Sequence, residues 1–390
     1  MEFYFFHLMP WPEIPADFKA HNRSSWVVFS NRNYDPALGH RVYNEYLDEL
    51  EFADQIGFDA ICVNEHHQNA YGLMPAPNIM AAMLVRRTSR AKIAILGNGI
   101  CLRDNPLRIA EEVAMLDVIS GGRVISGFVR GIGCEYYSLG LDPSMSRARF
   151  REAHDLIIKA WTEPGPFTWD GENYHFRYVN VWPRPLQQPH PPIFCPSQGS
   201  SETIEWAAEH GYPYICTYTP IDVLVRFYEQ YRELARTRFG YEAGPEKFGV
   251  ASMVYLAEDE RTAMREARPH ADYFAERCFA IPLQMLIPPG YASADSLRRL
   301  VRTRGAQGAS FEFDSMTKNG QALIGTPDQV GERLTRMMER AGAGVFMGMF
   351  QFGDMPHGRA MRNMELFATK VMPYLPKTAP AKPSAQAPAV

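Results

Sequence analysis

The chain has 390 residues, 46% of them hydrophobic and 22% charged, enough for a sizeable core in one large domain or two smaller ones. Its 40 basic and 44 acidic residues leave a net charge of −4 with no Lys/Arg run, which argues against a nucleic-acid partner. No stretch approaches the roughly 20 apolar residues of a membrane span, and Met1–His7 has neither the basic start nor the apolar core of a secretion signal.

Eight short apolar runs follow one another along the chain: Phe3 to Leu8, Ala60 to Val63, Lys92 to Gly97, Arg123 to Val129, Pro192 to Pro196, Tyr212 to Tyr218, Phe248 to Leu256 and Gly344 to Phe350. Helical patterns separate them. Val42, Tyr46, Leu50, Ala53 and Ile56 share one face; so do Ile109, Val113 and Leu116, and so do Phe150, Ala153, Leu156, Ile157 and Ala160. Thr326-Pro327-Asp328-Gln329 predicts an N-cap, a Pro at the first helical position and a Gln that closes a capping box, with Gly342 at the exit.

Strand and helix alternating eight times predict a (β/α)₈ barrel, with a doubly wound open sheet as runner-up. Three connections are longer than a minimal barrel needs. Pro10 to Leu38 follows the first strand, and Thr162 to Pro192 reads as a hairpin turning at Asp170-Gly171. Ala257 to Ile324 lies before the eighth strand. Connections of this length are usually lids or packing elements. Residues 1–375 are expected to form one domain, and 376–390, rich in Pro, Ala and Ser, a disordered tail.

Four clusters sit at expected strand ends. The run Asp59 to Val63 stops at Asn64-Glu65-His66-His67, which delivers titratable groups to the face where barrels bind ligands. Adjacent strand residues point to opposite faces, so His66 and His67 do not readily share a metal, and none is expected. Gly97-Asn98-Gly99 permits close approach of backbone to a planar ligand, or is an ordinary turn. Val129-Arg130-Gly131-Ile132-Gly133 offers an arginine fork to a phosphate or carboxylate, or a surface ion pair. Ser197-Gln198-Gly199-Ser200-Ser201 opens a helix whose free N–H groups can hold a phosphate; simple capping by Ser200 or Ser201 is compatible with that. Together they outline a pocket for a planar, phosphate-bearing cofactor. The six cysteines, Cys62, Cys101, Cys134, Cys195, Cys216 and Cys278, form no Cys-x-x-Cys pair and suit buried thiols in the cytoplasm.

These blocks, with Asn105-Pro106, Ala110-Glu111-Glu112, Ser120-Gly121-Gly122-Arg123, Glu205-Trp206-Ala207-Ala208 and Gly325-Thr326-Pro327, resemble the bacterial luciferase-like flavin-dependent oxidoreductases. The likeness is greatest to the two-component monooxygenases and runs from Phe3 to about Leu375. It implies a (β/α)₈ barrel, reduced FMN supplied by a separate NAD(P)H-dependent flavin reductase, O2 as co-substrate, a small organic substrate oxygenated through a C4a-peroxyflavin, and a homodimer. By position it implies His66 as the histidine at the reactive face of the flavin, with Glu65 and His67 in support. Asn98 and Gly99 fall in the turn against the ring, where the family often has a non-proline cis peptide. Val129 stands where luciferase has a cysteine, Arg130 matches the phosphate-holding arginine, and Gly199, Ser200 and Ser201 the phosphate loop. Val129 argues against light emission. A deazaflavin-dependent hydride-transfer enzyme and a non-catalytic flavin-binding protein are the alternatives. The long connections, with Trp11, Phe18 and Trp26 in the first of them, are expected to form a lid. Met347 to Gln351 is expected in the core or lining the pocket.

Overall fold

The computed structural model describes residues 1–293, 298 and 311–376. Eight parallel strands close on themselves: β1 (Glu2–Phe6), β2 (Ala60–Val63), β3 (Lys92–Gly99), β4 (Val124–Val129), β7 (Ile193–Ser197), β8 (Tyr214–Cys216), β9 (Phe248–Leu256) and β11 (Val345–Met349). They pair in that order, β8 joins β9, and β11 returns to β1, so the sheet has no open edge there. Each coincides with one of the eight apolar runs. All residues of β2, β9 and β11 are buried, as parallel strands covered by helices must be.

The helices follow from their caps and stripes. Asp35 accepts from the Ala37 N–H ahead of Pro36–Gln55, whose buried face includes Val42, Tyr46, Leu50 and Ala53. Helix Leu107–Ser120 ends at Gly121 in the left-handed conformation. The capping box at Thr326 and Gln329 opens Pro327–Ala341, and Gly342 closes it with φ +58°.

The described parts of the three long connections also take shape; residues 294–297 and 299–310 of the third lie outside the described residues. β5 (Phe167–Asp170) and β6 (His175–Val179) form the hairpin. The segment after β1 and the segment after β9 pack on each other: the Ser25 N–H donates to the Ala280 carbonyl at 3.0 Å, and the Ile14 N–H to the Tyr273 hydroxyl at 2.6 Å. Trp11, Phe18 and Trp26 are buried there. One strand was not anticipated. β10 (Ala322–Gly325) runs parallel to the C-terminal half of β9, outside the closed ring. Of the expected tail, residues 377–390 lie outside the described residues. Among the described residues no helix is long and apolar enough to cross a membrane.

Candidate active site

The C-terminal strand ends meet at one cavity of about 250 Å³. Its wall takes Phe6 from β1, Asn64, Glu65 and His66 after β2, Leu96 and Gly97 from β3, Val129 from β4 and Arg130 just after it, Ser197 from β7, and Thr217 and Tyr218 after β8. The segment after β9 covers it with Phe279, Leu286, Ile287 and Tyr291.

At the β2 end two carboxylates hold two histidines. His66 Nδ1 lies 3.1 Å from Glu135 Oε1, and the ring meets the stacked pair Trp26 and Tyr71 edge-on, with centroids 5.3 and 5.0 Å away. His67 is tied back instead, its Nε2 2.8 Å from Glu65 Oε1, and its ring is not part of the cavity wall. Burial works against a charged His67. The hydrogen bond and charge of Glu65, with Glu135 adding, outweigh burial and hold the imidazole above its ordinary range. Glu65 also accepts the Gly99 N–H on its other oxygen at 3.0 Å. It therefore braces the ends of β2 and β3 as well as touching the cavity.

The turn of β3 is displaced from the sequence expectation by two residues. The non-proline cis peptide is Leu96–Gly97, and these two residues face the cavity. Asn98 is fully buried, and both polar atoms of its side chain lack a hydrogen-bond partner among the described residues. The cause is a register shift of β3 against β4 between Ile95 and Asn98, which changes the residues that point inward.

The opposite end is cationic. Arg130 Nη1 donates to Ser146 Oγ at 3.0 Å and to the Tyr291 carbonyl at 3.1 Å, and the guanidinium lies 4.3 Å from the Tyr291 ring centroid. Arg147 and Arg151, one turn apart on helix Ser146–Thr162, reach the same cavity. Burial, then the charge of Arg130, lowers the Arg147 pKa, while Glu202 at 3.4 Å opposes this. Ser200 lines the cavity and caps helix Ser201–Glu209, accepting the Thr203 N–H at 3.2 Å. Gly199 makes the turn with φ +91°; a Cβ there would lie 2.1 Å from the Phe227 ring, so only glycine fits. The Ser201 hydroxyl is engaged with Glu202 at 3.4 Å.

Arg147 and Arg151 were missed in the sequence, and a signal existed. Three arginines, Arg147, Arg149 and Arg151, crowd the start of a helix, where the dipole disfavours cations unless an anion is near. Met347 and Met349 pack in the core. Cys195 lines the cavity, but burial holds its thiol far above the ordinary range, so it is no ready nucleophile.

The residues fit a phosphorylated flavin. A cationic end with a capped helix N-terminus suits the phosphate. The middle, between aromatic and aliphatic side chains, suits a planar ring, and Asn64 Oδ1 is a buried acceptor with no donor among the described residues. A family model described as luciferase-like monooxygenase matches residues 24–344. The chain belongs to this family. The alkanal monooxygenase beta chain of Vibrio harveyi is 28% identical over 244 residues, 62% of this chain and 74% of that protein. The oxygenase component of the flavin-dependent trigonelline monooxygenase of Acinetobacter baylyi is 31% identical over 194 residues, 48% of this chain and 52% of that protein. Among solved structures, the oxygenating constituent of 3,6-diketocamphane monooxygenase from Pseudomonas putida, in complex with FMN, superposes with a TM-score of 0.74. The match covers 96% of this chain and all of that one at 19% identity. An F420-dependent secondary alcohol dehydrogenase superposes with a TM-score of 0.67 at 16% identity, covering 95% and 98% of the two chains. At these identities the structural matches speak for the fold.

Proposed function

We propose that this luciferase-like protein is the oxygenase component of a two-component flavin system. It takes reduced FMN from a separate NAD(P)H-dependent reductase and uses O2 to oxygenate a small organic substrate. One observation carries this: a single covered cavity joins a cluster of three arginines and a capped helix start to an aromatic chamber containing a histidine. When bound, reduced FMN supplies the two electrons that let one atom of O2 enter the substrate while the other leaves as water.

The chain's own residues do the rest. Arg130, Arg147, Arg151 and Ser200 hold the phosphate, and Val129, Leu96 and Gly97 form the wall for the ring. Phe279, Leu286, Ile287 and Tyr291 cover the chamber and exclude water. His66 accepts or returns a proton at Nε2. Burial keeps the Tyr71 and Tyr218 phenols neutral. Both shape the substrate side, with the Tyr71 hydroxyl 3.1 Å from that of Tyr218. We place the function in one barrel domain over residues 1–375 and in the cytoplasm, which suits six free, buried cysteines. We also assign a second copy of this chain to the apolar face formed by helices Pro77–Arg87 and Leu107–Ser120. There Ile79, Met83, Met115, Val118 and Ile119 are exposed. Support comes from relatives named as alpha and beta chains; a monomer in light scattering refutes the pairing.

The test is to load the protein with reduced FMN without oxygen, then add ¹⁸O2 and a panel of small organic compounds. One ¹⁸O atom in a product supports the proposal. Reduced FMN that does not bind, with reduced deazaflavin binding in its place, supports hydride transfer instead. Flavin binding without any product across the panel favours a storage role.

A further inference from the structure

We propose that Glu135 is the positioning residue of the site: its carboxylate fixes the tautomer and direction of the His66 imidazole, so that Nδ1 carries the proton and Nε2 faces the cavity as an acceptor. The proposal rests on the role given to His66 above.

Glu135 stands in the short helix Gly133–Ser138 after β4 and is fully buried. Its Oε2 accepts the Ile132 N–H at 2.6 Å, the backward arm of a capping box. Its Oε1 accepts the His67 N–H at 3.2 Å and lies 3.1 Å from His66 Nδ1. Both oxygens thus take backbone donors, the pattern of an ionised, acceptor-only carboxylate, and its neighbour His66 Nδ1 must then be the donor. With Nδ1 committed, the other nitrogen is the acceptor. Among the described residues His66 Nε2 has no hydrogen-bond partner, while the ring lines the cavity.

The loop is built to admit this carboxylate. Gly131 has φ +80°, and a Cβ there would lie 3.0 Å from Glu135 Oε2 and 2.6 Å from Leu102. A histidine that must take a proton at one nitrogen works only when the other is held protonated, and a buried carboxylate is the usual means.

Helix capping alone would also explain Glu135, so the readout must be the ring itself. ¹⁵N NMR of histidine-labelled protein without flavin, at alkaline pH where imidazoles are neutral, reports the tautomer; His66→Asn assigns the signal. Wild type should show Nδ1 protonated and Nε2 bare, and Glu135→Leu should lose that preference, because its side chain carries no acceptor. The same variant, loaded with reduced FMN, should turn over roughly 100-fold more slowly, the lower end of what acid–base groups contribute, with the dissociation constant for reduced FMN unchanged. Gly131→Ala, which crowds the carboxylate without removing it, should shift the tautomer part of the way. A wild-type ring protonated at Nε2, or a tautomer unchanged by Glu135→Leu, overturns the proposal. Because the spectrum is taken without flavin, a failure to bind FMN would overturn the proposed function and leave this result standing.

Discussion

The two ends of the cavity handle charge in opposite ways. At the β2 end each histidine already has its own buried carboxylate, Glu135 for His66 and Glu65 for His67. At the β4 and β7 end Arg130, Arg147 and Arg151 gather at a helix start. There Arg130 makes its hydrogen bonds to neutral oxygens of Ser146 and Tyr291. One end is completed by the protein; the other, where Arg147 already meets Glu202 at 3.4 Å, would be completed by the proposed phosphate. The difference separates proton control from binding, because a group already neutralised and oriented can do chemistry without reorganising, whereas clustered cations gain most when a dianion arrives.

The largest effect should come from the completed end. His66→Ala should lower turnover roughly 10² to 10⁴-fold, the range for a positioned acid–base group, with little change in affinity for reduced FMN. Single-turnover kinetics checks this; full activity breaks the division between the two ends. At the other end Arg130→Ala should weaken FMN binding by about 1.5–3 kcal/mol, the worth of a charge-assisted hydrogen bond, as measured by anaerobic titration. Turnover at saturating FMN should fall far less. Equal losses in both quantities would merge the two ends.

Ser200→Ala should cost about 1 kcal/mol of stability through the lost cap on helix Ser201–Glu209, read as a shift in the denaturant midpoint. The smallest effect concerns pH. A hydrogen bond to Glu49 at 2.9 Å, against some desolvation, raises the pKa of His357, and Glu65 does the same for His67. A raised histidine stabilises the fold fully below the ordinary value near 6.5 and loses that contribution as pH rises through the folded value. Melting temperature should therefore fall modestly as pH increases above about 6.5. His357→Gln should flatten that slope; an unchanged slope would show the pair to be silent.

Much of this arrangement was legible in the sequence. The eight barrel strands announced themselves because a strand buried on both faces needs a continuous apolar run. The Ser200 cap and the Thr326 capping box are local chemistry, readable over four residues. What escaped depends on distant parts of the chain. The inward-facing pair of β3 moved from Asn98-Gly99 to Leu96-Gly97 because of a register shift that only pairing with β4 creates. Arg151 reaches the cavity only because helix Ser146–Thr162 packs beside the β4 end, and its apolar stripe had drawn attention to the other face. Glu135 is ordinary in sequence and meaningful only once β2 and β4 are neighbours of the same mouth. β10 is four residues long and pairs with one strand, too little for a pattern.

The arginine end is proposed to hold the phosphate of a flavin. Anaerobic titration of wild type and Arg130→Ala with reduced FMN and with reduced riboflavin, which lacks the phosphate, tests it. The predicted result is tighter binding of FMN than of riboflavin by the wild type, with most of that preference lost in Arg130→Ala. Equal affinity of the wild type for both flavins, or a preference that survives the substitution, would contradict it.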